Sequence, residues 1–212
     1  MPELPEVETV RRGLAPVLEG AVLVDVTLRR TMLRVPVPPD FVARLKGNRV
    51  VRIGRRAKYL LVEMADGTVV ISHLGMSGHM TIYRSAAPPP ERHDHADFTT
   101  DAGVTVRFTD PRRFGLLALS SVGEIDEHIL IKRLGPDPLS NAFNGAALAD
   151  RLAGRASPIK AALLDQRVLA GLGNIYVCES LFRAGLSPKR LARTVKTERA
   201  ERLAASIRAV LT

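Results

Sequence analysis

The sequence contains no tryptophan and only one cysteine, Cys178, among its 212 residues. A single cysteine excludes an intramolecular disulfide and any metal site built from several cysteines within these residues. Aromatic residues make up only 4%, so the core has to be built mainly from aliphatic side chains. No apolar run is long enough to span a bilayer and no signal peptide precedes the charged start, which predicts a cytoplasmic protein without membrane contact.

Acidic residues are outnumbered, with 22 against 31 basic residues and a formal net charge of +9. The excess is concentrated in residues 134–212, which carry 12 basic and 6 acidic side chains. Lysine and arginine displace the counterions condensed on nucleic acid, so this excess favours a polyanionic partner. The alternative, a protein that is basic without binding nucleic acid, stays open on charge alone.

The first part of the chain has the pattern of β-strands. Polar and apolar residues alternate over Val22–Leu28 and Val104–Thr109, and Asp66-Gly67 separates two further apolar segments. Alternation with a period of two indicates half-buried strands, and Asp-Gly is typical of a hairpin turn. No helix long enough for a parallel crossover intervenes, and residues 84–97 read as a proline-rich loop. The pattern predicts an antiparallel β-sandwich or barrel.

From about residue 134 the pattern becomes helical. Ser157-Pro158 and Ser187-Pro188 each resemble an N-cap followed by proline at the first helical position. We therefore predict an α+β fold, with a β-sandwich domain at 1–133 that includes a few helices and an α-helical domain at 134–212. Two apolar stripes are predicted to be packed, one at Ile175, Cys178, Leu181 and Phe182, the other running from Val195 through Leu203 and Ile207 to Val210.

The N-terminus supplies a candidate nucleophile. Glu6 and the proline at position 5 are ordinary helix-start residues, and on that interpretation the segment is structural. Removal of Met1 would leave Pro2 with a free secondary amine. An α-amino group has a pKa of roughly 7.7–8.0, well below that of lysine, so a useful fraction is neutral and nucleophilic near pH 7. The carboxyl group of Glu3 could then transfer protons.

The opening run PELPEVETVRRGL resembles the start of the formamidopyrimidine-DNA glycosylase family. The resemblance implies Pro2 as the nucleophile that forms a Schiff base with the deoxyribose of damaged DNA. It also implies Glu3 as the acid/base and Glu6 as a supporting residue of the same site.

Two further motifs follow within the predicted strands. Residues 55–61 read RRAKYLL and residues 73–78 read HLGMSG. Taken singly, they fit a strand with a solvated basic end and a glycine turn with a structural histidine. The family resemblance implies instead that Lys58 acts with the catalytic residues at the phosphates flanking the lesion. It places His73 at the phosphate backbone and Met76 in the gap left by an extruded base.

Residues 109–115, TDPRRFG, resemble the intercalation loop of the family. Phe114 would wedge between base pairs and Arg112 would reach the orphaned base, with Asp110 holding the loop. A turn with a salt bridge is the structural alternative.

Residues 159–185 resemble the helix–two-turn–helix element of the family, which implies Lys160 and Asn174 as DNA contacts. Gly171 and Gly173 are expected to expose backbone N–H groups, and the helix that follows to direct its positive end at a phosphate. Such elements also occur in nucleic-acid-binding proteins that are not glycosylases.

The resemblance covers essentially the whole chain and implies a monomeric bacterial enzyme of base-excision repair, nucleoid-associated when on DNA. It would bind double-stranded DNA, excise 8-oxoguanine and formamidopyrimidines, and nick abasic sites by β,δ-elimination. Two alternatives remain: a non-catalytic or lyase-only protein that binds lesions or abasic DNA, and an endonuclease VIII-like glycosylase for oxidised pyrimidines. Leu4, where that branch has glycine, disfavours the second.

No cofactor or metal is expected within the 212 residues. The segment His93-Asp94-His95-Ala96-Asp97 could suggest a metal site, but we interpret it as a structural hydrogen-bond network. The family continues into a lid loop and a four-cysteine zinc finger, so one structural zinc is expected only in a longer form. Whether the chain is natural or a fragment stays open.

Overall fold

The computed structural model describes residues 2–212. Their contacts divide the chain into two compact units, one comprising Pro2 and residues 6–128 and the other residues 3–5 and 129–212. The first unit is built on β-strands and the second on helices, and this α+β arrangement confirms the predicted fold class.

The first unit contains two four-stranded antiparallel sheets, ordered β1-β6-β7-β5 and β2-β3-β4-β8. Both sheets supply buried side chains to one core, for example Val26, Val106 and Phe108 from the first and Ile53 and Leu60 from the second. The unit is therefore a sandwich. Its strands are β1 Leu23–Leu28, β2 Val50–Arg56, β3 Tyr59–Met64, β4 Thr68–His73, β5 His79–Tyr83, β6 Asp94–Thr100, β7 Thr105–Thr109 and β8 Leu116–Ser121.

The hairpin predicted at Asp66-Gly67 joins β3 and β4. Gly67 has a φ of +83°, a backbone conformation that glycine adopts without a steric cost, and the Asp66 carboxylate accepts a hydrogen bond from the N–H of Thr68. By contrast, the proline-rich loop is shorter than predicted, because β6 already begins at Asp94.

Two helices belong with the sandwich. Helix α1, Leu4–Leu18, contributes Val7 and Leu14 to the sandwich core, and the short helix α2 spans Phe41–Leu45. A 3₁₀ turn at Ile125–Glu127 follows the last strand.

The helical unit contains α3 Gly145–Leu152, α4 Ile159–Leu164, α5 Asn174–Arg183 and α6 Thr197–Leu211. Val195 and the α6 residues Leu203 and Ile207 are fully buried, which confirms the main positions of the predicted C-terminal stripe. At Ser157-Pro158 the helix begins one residue later than predicted, with Pro158 as its N-cap. The start predicted at Ser187-Pro188 is wrong, because a turn follows there and no α-helix begins.

The predicted packing face of α5 is correct only at Leu181, which is buried. Ile175 is 57% exposed, Phe182 is 86% exposed and Cys178 is exposed, whereas the buried residues are Val177, Ser180 and Leu181. Both sets are spaced at helical intervals, so periodicity alone could not decide which face is buried.

Candidate functional site

Glu3 is anchored at the start of α5, within the helical unit. Its side chain is buried, and its Oε2 accepts a hydrogen bond from the backbone N–H of Gly173 at 2.5 Å. Its Oε1 accepts one from Ile175 at 2.9 Å, and a longer contact of 3.4 Å joins Oε2 to the N–H of Tyr176. A carboxylate at this end of a helix satisfies N–H groups that have no partner within the helix and complements the helix dipole.

The glycine loop before α5 fits closely around the N-terminal residues 3 and 4. The N–H of Leu4 donates to the carbonyl of Gly171 at 3.1 Å. A Cβ atom at Gly173 would lie 2.5 Å from the carboxyl carbon of Glu3, and one at Gly171 would lie 2.6 Å from the Leu4 side chain. Neither position has room for a larger residue.

These contacts correct one expectation. The N–H of Gly173 is donated to Glu3, and the N–H of Gly171 is donated to the Gln166 side chain at 2.9 Å. The two glycine N–H groups are therefore engaged inside the protein, and the carboxylate of Glu3 occupies the position at the helix end where the sequence predicts a phosphate.

The remaining predicted DNA contacts of the helical unit lie on its helices. Asn174 is the first residue of α5 and is exposed, and Lys160 is in the first turn of α4 and half-buried. The side chain of Asn174 is thus accessible to an external ligand, although the backbone N–H groups of its neighbours Gly173 and Ile175 bind Glu3.

In the sandwich unit, Pro2 is half-buried and Glu6 is exposed in the first turn of α1. Lys58 lies in the two-residue turn between β2 and β3, where Arg56 pairs with Tyr59. Only 5% of Lys58 is exposed, so most of its aliphatic stem is packed.

His73 is the last residue of β4 and is almost fully buried. Burial, together with the positive charges of Arg34 and Lys58, lowers the pKa of His73 to about 4. The imidazole is therefore neutral near pH 7. Its Nδ1 accepts a hydrogen bond from the N–H of Gly75 at 2.9 Å, which assigns the ring proton to Nε2. His73 therefore offers one N–H donor and no positive charge. The centre of the Tyr59 ring lies 4.9 Å from the centre of the imidazole.

His73 lines an open cleft of about 410 Å³ together with Arg34, Gly75, Met76 and Phe114. Met76 and Phe114 are 42% and 43% exposed, a large solvent exposure for apolar side chains in a folded protein. The cleft thus brings together three of the predicted site residues. Arg34 belongs to the same cleft but carries no motif in the sequence, and only the fold indicates its place there.

A buried carboxylate holds the predicted intercalation loop. Asp110 is completely buried, and its Oδ2 accepts from the N–H of Gly115 at 2.7 Å while its Oδ1 accepts from the hydroxyl of Ser77 at 2.6 Å. The N–H of Arg112 contacts both Ser77 Oγ and Asp110 Oδ1, at 3.2 and 3.3 Å. Asp110 therefore joins the loop that carries Arg112 to the loop that carries Met76, as predicted for its structural role.

The two loops also touch through their backbones. Gly75 has a φ of +66°, and a Cβ atom there would lie 2.4 Å from the backbone of Phe114 and Gly115. At the exposed end of the loop, the guanidinium of Arg112 lies 4.7 Å from the centre of the Phe114 ring, a cation–π contact.

The histidine and aspartate cluster at 93–97 forms hydrogen bonds within the sandwich. His95 Nε2 lies 2.7 Å from the carbonyl of Asp110, and Arg107 pairs with Asp97 at 2.8 Å and with Asp94 at 3.3 Å. The cluster thus supports the base of the predicted intercalation loop, in agreement with its interpretation as a structural network.

None of the helices in residues 2–212 combines the length and apolar character needed to cross a membrane.

Two family models match most of the chain. The model of the formamidopyrimidine-DNA glycosylase N-terminal domain matches residues 1–117, and that of the formamidopyrimidine-DNA glycosylase H2TH domain matches residues 134–212. Among curated relatives, the formamidopyrimidine-DNA glycosylase of Rhodospirillum rubrum is 58% identical over 212 residues, covering 100% of this chain and 75% of the relative. The protein of the same name from Rhodospirillum centenum is 54% identical, covering 100% of this chain and 77% of the relative.

Solved structures resemble this chain over nearly its full length. The MutM (Fpg) protein from Thermus thermophilus is 42% identical with a TM-score of 0.87, covering 99% of this chain and 74% of that chain. Lactococcus lactis Fpg in complex with DNA containing an abasic site is 32% identical with a TM-score of 0.91, covering 99% of this chain and 76% of that chain.

Proposed function

This chain belongs to the formamidopyrimidine-DNA glycosylase family, and on that premise we propose how its residues divide the work of base excision. The protein is a base-excision repair glycosylase with AP lyase activity, and its partner is DNA. The assignment of each step to a residue is our proposal, as is the preference for 8-oxoguanine opposite cytosine and for formamidopyrimidines.

Pro2 is the proposed nucleophile. Once Met1 has been removed, the neutral secondary amine attacks C1′ of the damaged nucleotide and the bond from C1′ to the base breaks. The proline nitrogen loses its proton as it bonds to C1′, and the departing base takes up a proton. The bond between C1′ and O4′ then breaks as O4′ is protonated, which opens the sugar ring and leaves an iminium joining C1′ to the proline nitrogen. Loss of protons from the sugar then eliminates the 3′ and 5′ phosphates in turn, which nicks the strand, and hydrolysis of the iminium releases the enzyme.

Glu3 is the proposed acid/base, with Glu6 in support. The observation that carries the proposal is the anchoring of Glu3 by the N–H groups of Gly173 and Ile175. A side chain held at both oxygens restrains the backbone of its own residue, and Pro2 is the residue directly before Glu3. Such fixed geometry is what attack on a single sugar carbon requires.

DNA binding is divided between phosphate contacts and residues that enter the duplex. For the phosphates we propose Lys58, His73, Lys160 and Asn174, with the neutral imidazole of His73 acting through its Nε2–H. The solvent exposure of Met76 and Phe114 supports their insertion into the space left by the flipped nucleotide, with Arg112 at the orphaned base.

The four-cysteine zinc finger of the family cannot be formed by these residues, because the chain has one cysteine. We propose that zinc would be held only by a further segment in a longer form, and no catalytic step here depends on it. We further propose that the enzyme acts as a monomer in the bacterial cytoplasm.

Borohydride trapping tests the nucleophile. Reduction of the iminium should link the mature protein covalently to DNA containing an abasic site, and mass analysis should place the link on Pro2. Pro2→Gly should trap weakly, and protein that retains Met1 should not trap. A link to a lysine in protein that retains Met1 would overturn the assignment.

A further inference from the structure

The turn that presents Lys58 has an unusual backbone. Arg56 pairs with Tyr59 across β2 and β3, which leaves Ala57 and Lys58 as the two connecting residues. Ala57 has a φ of +55° and is buried. A positive φ in a two-residue hairpin turn is normally supplied by glycine, asparagine or aspartate, because a Cβ atom makes it unfavourable. The surrounding residues must therefore hold this turn in place.

Arg55 supplies one such constraint. Its Nη1 donates a hydrogen bond to the carbonyl oxygen of Ala57 at 2.9 Å, across the turn. Its Nε forms an ion pair with Glu8 Oε2 at 3.1 Å, and only 11% of its side chain is exposed. One rigid guanidinium plane thus joins α1 to the carbonyl group of the residue before Lys58.

Glu8 is itself held firmly on α1. Its Oε1 lies 2.8 Å from Arg11 Nη2 and 2.9 Å from Arg12 Nε. Hydrogen bonds from Arg11, Arg12 and Arg55 lower the pKa of Glu8 to about 2, although burial opposes the shift. The carboxylate therefore stays ionised throughout the pH range of an activity assay.

We propose that Arg55, held by Glu8, is a positioning residue that fixes the Ala57–Lys58 turn and so directs the ammonium group of Lys58 at a DNA phosphate. The inference rests on the proposed phosphate contact of Lys58. Because only 5% of Lys58 is exposed, the direction of its packed side chain follows from the backbone at its Cα. The same helix that begins beside Pro2 thereby sets the position of the phosphate-binding lysine.

The salt dependence of DNA binding provides a test that a purely structural role would not affect. Each phosphate contact contributes about 0.9 to the slope of log K against log salt. Arg55→Lys keeps the charge but loses the planar fork that spans Glu8 and Ala57. It should reduce the slope by about 0.9 on a duplex with a tetrahydrofuran abasic analogue. Lys58→Ala should reduce it equally, and the double variant should reduce it no further.

Arg52→Lys is the matched control. Arg52 lies on the same strand and forms an exposed ion pair with Glu63 at 3.3 Å, away from the turn. The salt slope of DNA binding by Arg52→Lys should equal that of the unmodified protein. Urea unfolding establishes that each variant is folded under the assay conditions. Should Arg55→Lys fail to fold, Glu8→Gln carries the same prediction, since it releases the guanidinium from α1.

The outcomes separate the two claims. An unchanged slope for Arg55→Lys, beside a reduced slope for Lys58→Ala, would overturn the positioning role and leave the phosphate contact standing. A double variant that loses a further contact would also overturn it, because Arg55 would then act independently of Lys58. An unchanged slope for Lys58→Ala would instead remove the phosphate role from the proposed function.

Discussion

Glu3 Oε2 and the backbone nitrogen of Gly173 lie 2.5 Å apart, although 170 positions separate the two residues in the chain. The chain's third residue is therefore an integral part of the helical unit. A carboxylate that binds the N–H groups at a helix start can usually be replaced by another acceptor or by water. Here the glycine has no space for a Cβ atom, so both partners of the contact are constrained.

Gly173→Ala should therefore impair catalysis. The new methyl group would lie 2.5 Å from the Glu3 carboxyl carbon and would displace the carboxylate from the α5 N–H groups. We expect borohydride trapping on abasic DNA to fall at least about tenfold, a loss of roughly 1.4 kcal/mol in transition-state stabilisation. Gly13→Ala is the control, because a Cβ atom there has no neighbour within 4 Å. Trapping by Gly173→Ala at the unmodified rate would show that the position of Glu3 does not matter.

Much of the fold could be predicted, since strand alternation and turn chemistry are local. The hairpin at Asp66-Gly67 forms as predicted because the turn residues and the flanking apolar segments specify the same register. The prediction that Asp110 holds its loop follows from its place in the motif TDPRRFG at residues 109–115. The buried bonds of Asp110 to Ser77 and Gly115 explain why a carboxylate is needed there.

The failures concern contacts between residues distant in the sequence. The sequence predicts that the backbone N–H groups of Gly171 and Gly173 have no partner within a helix, but it does not show which acceptor binds them. An internal carboxylate and an external phosphate have the same chemistry at a helix N-terminus. The buried face of α5 depends in the same way on which neighbours pack against it, and Phe182, which the sequence predicts to be packed, is 86% exposed.

Asp110→Asn should destabilise the sandwich unit. The amide offers one acceptor oxygen where the carboxylate offers two. Its NH₂ group would face either the Gly115 N–H, which would lose its acceptor, or the Ser77 hydroxyl, which would have to turn and give up its hydrogen bond to a charged oxygen. The cost should be about 1–3 kcal/mol in the free energy of unfolding by urea. Asp25→Asn is the control, because its pair with Lys46 is about half exposed and should contribute less than about 1 kcal/mol. Equal effects of the two substitutions would contradict the loop-holding role.

Arg112→Ala should relax the preference for cytosine opposite the lesion. A bidentate contact to a base contributes about 1–3 kcal/mol of discrimination, so the ratio of excision rates opposite cytosine and adenine should fall accordingly. Arg113→Ala removes the same charge from the adjacent position and should leave the ratio unchanged. If both variants keep the preference of the unmodified protein, Arg112 does not read the orphaned base.

His73 should make stability depend on pH between about 6.5 and 4. In the unfolded chain the imidazole titrates at its ordinary pKa of 6.5, whereas in the fold the pKa is about 4. Between these values the unfolded state binds a proton that the fold excludes. The free energy of unfolding therefore keeps its full value above pH 6.5. It falls by an amount on the order of 3 kcal/mol as the pH is lowered to about 4.

Urea unfolding of His73→Gln between pH 7 and pH 4.5 tests this dependence, because the variant has no imidazole to titrate. Its stability should change less with pH than that of the unmodified protein. His79→Gln alters an exposed histidine and should keep the original dependence. An identical pH dependence in His73→Gln and the unmodified protein would show that His73 is not the source.

The 212-residue chain should nick abasic DNA better than it excises 8-oxoguanine. On the proposed mechanism, an aldehyde that an abasic site already exposes needs only Pro2, Glu3, Lys58 and the proposed intercalation loop. Excision of an intact base also requires the nucleotide to be held outside the stack, at a cost of a few kcal/mol. The relatives are longer, this chain covering 75% of the Rhodospirillum rubrum protein, and we propose that the further residues of a longer form contact the flipped nucleotide.

The measurement is the single-turnover cleavage rate on the two substrates at several salt concentrations, for this chain and for any longer form of the protein. The cleavage rate of the longer form should exceed that of this chain by a much larger factor on 8-oxoguanine DNA than on abasic DNA. The affinity of the longer form should also fall more steeply with salt, because additional phosphate contacts release additional counterions. Equal rates of 8-oxoguanine excision by the two forms would show that the described residues already hold the flipped base unaided.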